Sequence, residues 1–330
     1  MAATELGHVT RPLDLIADAV RGTGDHVAVT GATGWLGSVA LDLLYRALGD
    51  DAPAHVTAYA SRRREMVVAD GRKLDALPLS ELGSQDPAPT TLLHFAFLTR
   101  DKVAALGIDA YTSQNVAITT TVLDAIAKHR PRRVVLASSG VVTSSAGRLT
   151  SDLRADPYQA LKHLDELAFR TATRDVGGVC VIPRVFSVAG SRMTKPELYA
   201  LGSMVQMAAA GGPIEVRAQG AVYRAYCGAD EVVALALWAA YAGRDIVFDS
   251  GGTVVEMGEL AEVVAHAHGL NPDVVRRTWD PAVPAERYVG DGRLMESLAA
   301  EAGLPLRSLA DLVGETSAWL ADVRRAGAPS

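Results

Sequence analysis

The sequence predicts an α/β fold, a doubly wound parallel sheet with a smaller C-terminal lobe, and three observations carry that prediction. Short apolar runs alternate with helical patterns from residue 26 to residue 186, and parallel neighbouring strands need such crossover helices. A glycine-punctuated turn, Gly31-Ala32-Thr33-Gly34-Trp35-Leu36-Gly37, follows the first apolar run and opens the first long helix. Beyond residue 187 the alternation loosens at Gly211-Gly212-Pro213, at Gly251-Gly252 and across residues 272–284, which implies shorter pieces and a second lobe.

Residues 1–25 read as a helical lead-in with Leu13, Ile16 and Val20 at helical spacing, packed on the body or mobile, and carry no chemistry. Residues 26–30 form a short buried strand, and the helix after the glycine turn runs to Leu48. Further strands are expected at 55–60, 66–69 and 91–96. Residues 110–129 have helical periodicity in Val116, Thr120, Leu123 and Ile126, and Pro131 marks the end. A strand at 133–138, a helix opened by Pro157 and a strand at 178–186 complete the alternation. Residues 229–250 supply one more helix and a strand, 246–249, that return to the sheet. The expected division is therefore 1–186 with 229–250 against a lobe built mainly from 187–330.

Composition narrows the function. Of 330 residues, 49% are hydrophobic and 21% charged, which excludes a disordered chain. The net charge of −6 argues against a general binder of phosphate backbones, so nucleic acid is not an expected partner. The longest apolar run, 232–242, falls short of the roughly 18 residues that cross a bilayer, and no membrane span is expected. Glu5, Asp14, Asp18 and Asp25 stand where a leader would be basic or apolar, so a cytoplasmic location is expected. Cys180 and Cys227 are too few for a disulfide framework or a metal cluster, and are read as reduced and structural.

The glycine turn points to a dinucleotide. Gly31 permits the tight turn, Gly34 lets backbone amides approach a pyrophosphate at the positive helix end, and Gly37 lets the helix lie close on the sheet. A turn with no ligand has the same spacing; the flanking strand and helix favour the dinucleotide, with Thr33, Trp35 and Leu36 completing the site. The strand at 55–60 leads into Ser61-Arg62-Arg63-Arg64 and offers no acid to the ribose hydroxyls of NAD. Ser61 with Arg62 or Arg63 suits a 2′-phosphate, so NADP(H) is expected over NAD(H). A basic loop facing water is the alternative.

Tyr158 and Lys162 stand four residues apart, hence on one helical face. A phenol titrates near ~10, so acid–base work near neutrality needs a neighbouring cation. Ser138-Ser139 closes the strand at 133–138, at the carboxyl edge where doubly wound sheets bind ligands.

Together these motifs resemble the extended short-chain dehydrogenase/reductases, the NAD(P)-dependent epimerase/dehydratase family with its Rossmann sheet. The resemblance runs nearly the whole length: the three glycines, His94-Phe95-Ala96, Asn115-Val116, Tyr158 with Lys162, residues 183–190, residues 222–226 with Asp230, and residues 287–291. It implies that Tyr158 is the acid/base and that Lys162 lowers its pKa and holds the nicotinamide ribose. It implies that Ser139, with Ser138 in reserve, polarises the substrate oxygen as hydride reaches the carbonyl carbon. Ala96, Asn115 and Pro183 are implied in cofactor binding, and Ser187 and Arg224 in substrate binding, Arg224 as the grip on a nucleotide-sugar diphosphate. A surface ion pair is the alternative for Arg224. A homodimer through two helices is also implied.

Departures shape the substrate expectation. Ser187 stands where the family often has Asn, and Ala225 where it often has Asp. Gly140-Val141 replace the Asp-Glu pair of the dehydratase branch, which disfavours water loss. The expected function is reduction of a keto-sugar on a sugar nucleotide, or the reverse oxidation. The alternatives are a 4-epimerase that keeps its NAD, a flavonoid- or steroid-type ketoreductase, and a dinucleotide-sensing regulator that needs the glycines but not the acid/base pair.

Overall fold

The computed structural model describes residues 11–143 and 152–327. Residues 1–10 of the lead-in, 144–151 and 328–330 lie outside the described residues. The first half runs α1 (Pro12–Val20), β1 (Val27–Thr30), α2 (Trp35–Leu48), α3 (Ala52–His55), β2 (Val56–Ala60), β3 (Arg64–Val67), β4 (Lys73–Pro78), β5 (Thr91–His94), α4 (Lys102–Leu106) and α5 (Ile108–His129). Then come β6 (Arg133–Leu136), β7 (Ser138–Ser139), α6 (Pro157–Asp175), β8 (Val179–Val185), β9 (Ser187–Ala189), α7 (Ala200–Ala209), β10 (Ile214–Val216) and β11 (Val222–Gly228). The chain ends with α8 (Ala229–Tyr241), β12 (Ile246–Asp249), β13 (Thr253–Glu256), α9 (Met257–Ala267), β14 (Val275–Arg277), β15 (Glu286–Tyr288), α10 (Arg293–Glu301) and α11 (Leu309–Arg325).

The main sheet has the order β12-β8-β6-β5-β1-β2-β4-β3, with β7 added beside β8. Its pairings are parallel except β3 with β4. β1 aligns Thr30 with Tyr59 of β2 on one side and His94 of β5 on the other. The chain therefore leaves three neighbouring strands at one carboxyl edge, with the glycine turn where the strand order reverses. The apolar side chains of β1 are all buried, as a strand covered on both faces requires.

The lead-in packs. Leu15, Ile16, Ala17 and Val20 are buried against α2 and α8. Burial of one such aliphatic side chain is worth about 1.5–3 kcal/mol, enough to hold a nine-residue helix that would melt alone. α8 is apolar nearly all round and lies inside the core.

The edge of the sheet departs from the sequence expectation. The strand expected at 66–69 is Arg64–Val67, it runs antiparallel, and it pairs with β4, which was not foreseen. In β4 only Leu74 and Ala76 turn inward while Lys73 and Asp75 face water, so charge conceals the alternation.

After β8 the chain builds a second sheet, β13-β11-β15 with β9 beside β11, and a separate β10-β14 pair. α7, α9 and α11 cover it with Leu201, Val205, Leu260, Val264, Leu312 and Val313. β12 returns to β8, with Phe248 opposite Pro183.

Candidate active site

The glycine turn is built by close approach. Gly31 has φ +71°, and a Cβ there would stand 2.5 Å from the Ala96 nitrogen. A Cβ on Gly37 would stand 2.2 Å from the Gly31 carbonyl oxygen. The first turn of α2, β1 and the segment after β5 thus touch through backbone alone, which only glycine allows. Gly34 precedes α2 with no side chain capping its amides, and Thr33 and Gly34 are exposed beside them. Those free amides suit an anion. Leu36 is half-buried next to them.

Other expected cofactor contacts divide. Ser61, Arg62 and Arg63 are exposed beyond β2. Arg63 pairs with Glu81 at 3.1 Å, whereas Arg62 has no ion pair among the described residues. Trp35 is buried, donates its indole N–H to the Ser191 carbonyl at 2.8 Å and meets Tyr199 edge-on at 5.3 Å. It ties the turn to the segment after β9. Asn115 is fully buried, its Oδ1 accepts from Leu98 N at 2.8 Å and its amide donates to Tyr111 O. Its carbonyl oxygen pins the segment after β5. Pro183 is buried within β8, and Ser187 opens β9 opposite Tyr226.

Asp156 accepts from Gln159 N at 3.0 Å and, with Pro157 behind it, starts α6. One turn brings Tyr158 and Lys162 to the same side. The two serines of β7 point opposite ways, as strand residues do. Ser138 donates to Glu166 Oε1 at 2.6 Å, while Ser139 faces the Tyr158 phenol and lies 3.4 Å from the Tyr288 hydroxyl. Ser139 is therefore the serine that shares the site with Tyr158.

Lys162 is buried, donates to the Ala137 carbonyl at 2.9 Å and sits 3.8 Å from the Phe97 ring centroid. The Phe97 ring meets Tyr158 edge-on at 5.7 Å. Arg100, paired with Asp156, lies 5.4 Å over the Tyr158 ring. Burial pushes the Tyr158 hydroxyl up, partly offset by the Ser139 hydrogen bond and the Arg100 charge. Lys162 Nζ is turned to Ala137 and Phe97, and the cation over the Tyr158 ring is Arg100. Lys162 itself is pushed down to about 8 by burial, against the pull of Asp165 and Glu166.

His94 shares Nδ1 with Thr30 Oγ1 at 2.7 Å, stacks on Phe169 and is pushed down to about 3 by burial and then by Lys162. It is a neutral core residue. Cys180 and Cys227 are buried free thiols. Among the described residues no group of three or more His, Cys, Asp or Glu side chains is placed to hold a metal, and no helix is long and apolar enough to cross a membrane.

Arg224 reaches the site from the second sheet. It pairs with Glu286 at 2.7 Å and lies 5.4 Å over the ring of Tyr288, its neighbour in register. Phe186 packs on the other flank of that ring at 4.8 Å. Tyr288, Phe97 and Arg100 escaped the sequence reading. Tyr288 lay within the recognised stretch 287–291, but only the pairing of β15 with β11 brings its hydroxyl to Ser139.

The architecture has known counterparts. It matches the dTDP-glucose 4,6-dehydratase of Streptomyces venezuelae with NAD bound at a TM-score of 0.71 and 24% identity, over 91% of this chain and 98% of that one. The Thermus thermophilus UDP-glucose 4-epimerase in complex with NAD matches at 0.68 and 21% identity, over 90% and 99%. The UDP-N-acetylglucosamine 4-epimerase of Methanobrevibacter ruminantium, in complex with UDP-N-acetylmuramic acid, matches at 0.69 and 16% identity, over 90% and 98%. These likenesses are of fold. No curated protein sequence matches the chain. The family model for NAD dependent epimerase/dehydratases covers residues 27–249, a span that holds the glycine turn, Ser139, Tyr158, Lys162 and Arg224 together, and the chain belongs to that enzyme family.

Proposed function

We propose that the chain is an NAD(P)-dependent oxidoreductase of sugar nucleotides that reduces a keto-sugar, with Tyr158 as proton donor. The observation that carries this reading is the convergence of Ser139 on β7 and Tyr158 on α6 at the carboxyl edge of the sheet, with Lys162 one helical turn beyond Tyr158. The glycine turn, fitted by backbone contacts that no side chain could share, would hold the pyrophosphate. When bound, the dinucleotide supplies or accepts the hydride. Tyr158 transfers a proton at the substrate oxygen, and Ser139 hydrogen bonds to the same oxygen and holds its developing charge. Lys162 would hold the nicotinamide ribose. The lobe of residues 187–330 would bind the nucleotide, with Ser187 at its entry and Arg224 on the diphosphate.

Arg62, exposed and without an ion pair among the described residues, supports NADP(H) as the preferred cofactor, while Arg63 is engaged by Glu81. A 4-epimerase with retained NAD is the second reading, favoured by the two structural counterparts that are 4-epimerases. Dehydration is disfavoured because a Cβ at position 140 would stand 2.5 Å from the Phe186 ring, leaving no room for an acid. Exposed Val116, Leu164 and Leu167 on α5 and α6 support a homodimer through those helices.

Calorimetry of the whole chain with NADPH, NADH and a panel of nucleoside diphosphates tests the assignment. Stoichiometric consumption of NADPH with a keto-sugar nucleotide marks a reductase; turnover with no added cofactor marks an epimerase. Tighter binding of NADH than NADPH overturns the role given to Arg62.

A further inference from the structure

Lys162 takes its charge into a place with little to hold it. Its buried Nζ has one hydrogen bond, to Ala137 O, and the face of Phe97. The titratable groups around it are Tyr158, Asp165 and Glu166 on α6, His94 from β5, and Arg184 from β8 through Glu166. Most of these are already committed. Glu166 binds Arg184 with both oxygens, at 2.8 and 2.7 Å, and also accepts from Ser138. His94 is neutral.

Asp165 differs. It is 2% exposed, lies three residues after Lys162 on the same helical face, and faces α5. Its Oδ1 accepts from the Thr119 hydroxyl at 2.8 Å, and its Oδ2 is buried with no hydrogen-bond partner. A buried carboxylate oxygen without a donor is costly; no ion pair reaches Asp165 among the described residues, and the cation one helical turn back is Lys162. Lys162 and Thr119 both pull this carboxyl down against its burial.

We propose that Asp165 is a positioning residue of the active site: its carboxylate is the uncommitted counter-charge that keeps Lys162 an ammonium, oriented for the dinucleotide. This rests on the cofactor reading above. Glu166 cannot substitute, because Arg184 already neutralises it.

The test is the pH dependence of NADPH and NADH affinity, followed by nucleotide fluorescence on the full chain from about pH 6 to about pH 10, where the ammonium is lost. In the wild type, affinity declines on the alkaline side. Asp165→Asn keeps the shape and an oxygen for Thr119 but removes the charge, and the midpoint of the decline moves down by roughly one pH unit with the melting temperature retained. Asp165→Ser also removes the charge and moves the midpoint the same way; it decides the matter if the first variant does not fold. A midpoint unchanged in both variants, or a wild-type profile that is flat, overturns the proposal. Absence of any nucleotide binding by the wild type overturns the cofactor assignment itself, and the role of Asp165 with it.

Discussion

The hydroxyls of Ser139 and Tyr288 stand 3.4 Å apart, where the main sheet's β7 meets β15 of the second sheet. Burial pushes Tyr288 up to about 12, so near neutrality it is a protonated donor and not a base. Its ring meets both Phe186 and the Arg224 guanidinium, so the lobe that would bind substrate also sets the surroundings of Ser139. Tyr288→Phe is expected to lower kcat/KM about threefold to tenfold while leaving dinucleotide affinity unchanged, since one neutral hydrogen bond is worth ~0.5–1.5 kcal/mol. Steady-state kinetics beside nucleotide titration check this; equal losses in both would mean that the ring merely supports the fold.

Tyr158→Phe removes the transferable proton and little volume. Turnover should fall by roughly 10²–10⁴, the usual worth of a general acid, with NADPH binding retained. Retained turnover would assign the proton to another group; retained cellular function without turnover would transfer the chain to the sensing class.

Gly37→Ala drives a methyl into the Gly31 carbonyl, 2.2 Å away. The glycine turn and the start of α2 must separate, at a cost of about 1–3 kcal/mol for an overpacked contact. Thermal unfolding should show the loss, and calorimetry should show dinucleotide binding abolished. A variant that binds normally would contradict the fitted-backbone picture of this turn.

Arg62→Ala is expected to weaken NADPH about tenfold and NADH hardly at all, because a charge-assisted hydrogen bond to a phosphate is worth ~1.5–3 kcal/mol. Arg63→Ala should do less, its guanidinium being shared with Glu81. Equal effects on both nucleotides would remove the 2′-phosphate role.

His94 makes stability depend on acid. Its folded pKa is pushed to about 3, against an unfolded value near ~6.5. Between these limits the unfolded chain binds a proton that the native chain refuses. The contribution is intact above about pH 6.5 and declines as pH falls, at no more than ~1.4 kcal/mol per unit. Urea unfolding near pH 7.5 and near pH 5 should show this slope, and His94→Gln should flatten it; equal slopes would assign acid sensitivity elsewhere.

Much of the candidate site was legible because its signals are local. Gly31, Gly34 and Gly37 answer steric demands within one turn, and Asp156, Pro157, Tyr158 and Lys162 lie within two turns of one helix. Ser138 and Ser139 were adjacent candidates that sequence could not separate; Glu166, taking Ser138 to the other side of β7, separates them. The backbone partners of Trp35 and Asn115, Ser191 and Leu98, were not legible, since buried donors and acceptors are met by whichever backbone group packs nearby.

By itself the sequence determined most of the alternation of strands and helices, the glycine turn and the placing of Tyr158 and Lys162 on one helical face, because periodicity, glycine sterics and helical spacing act over a few residues. Only the tertiary structure decided that Tyr288 reaches Ser139, that Arg100 and not Lys162 lies over the Tyr158 ring, and that β3 turns back along β4. Those contacts join residues far apart in the chain, and their energy exists only once the two sheets and α6 have packed together.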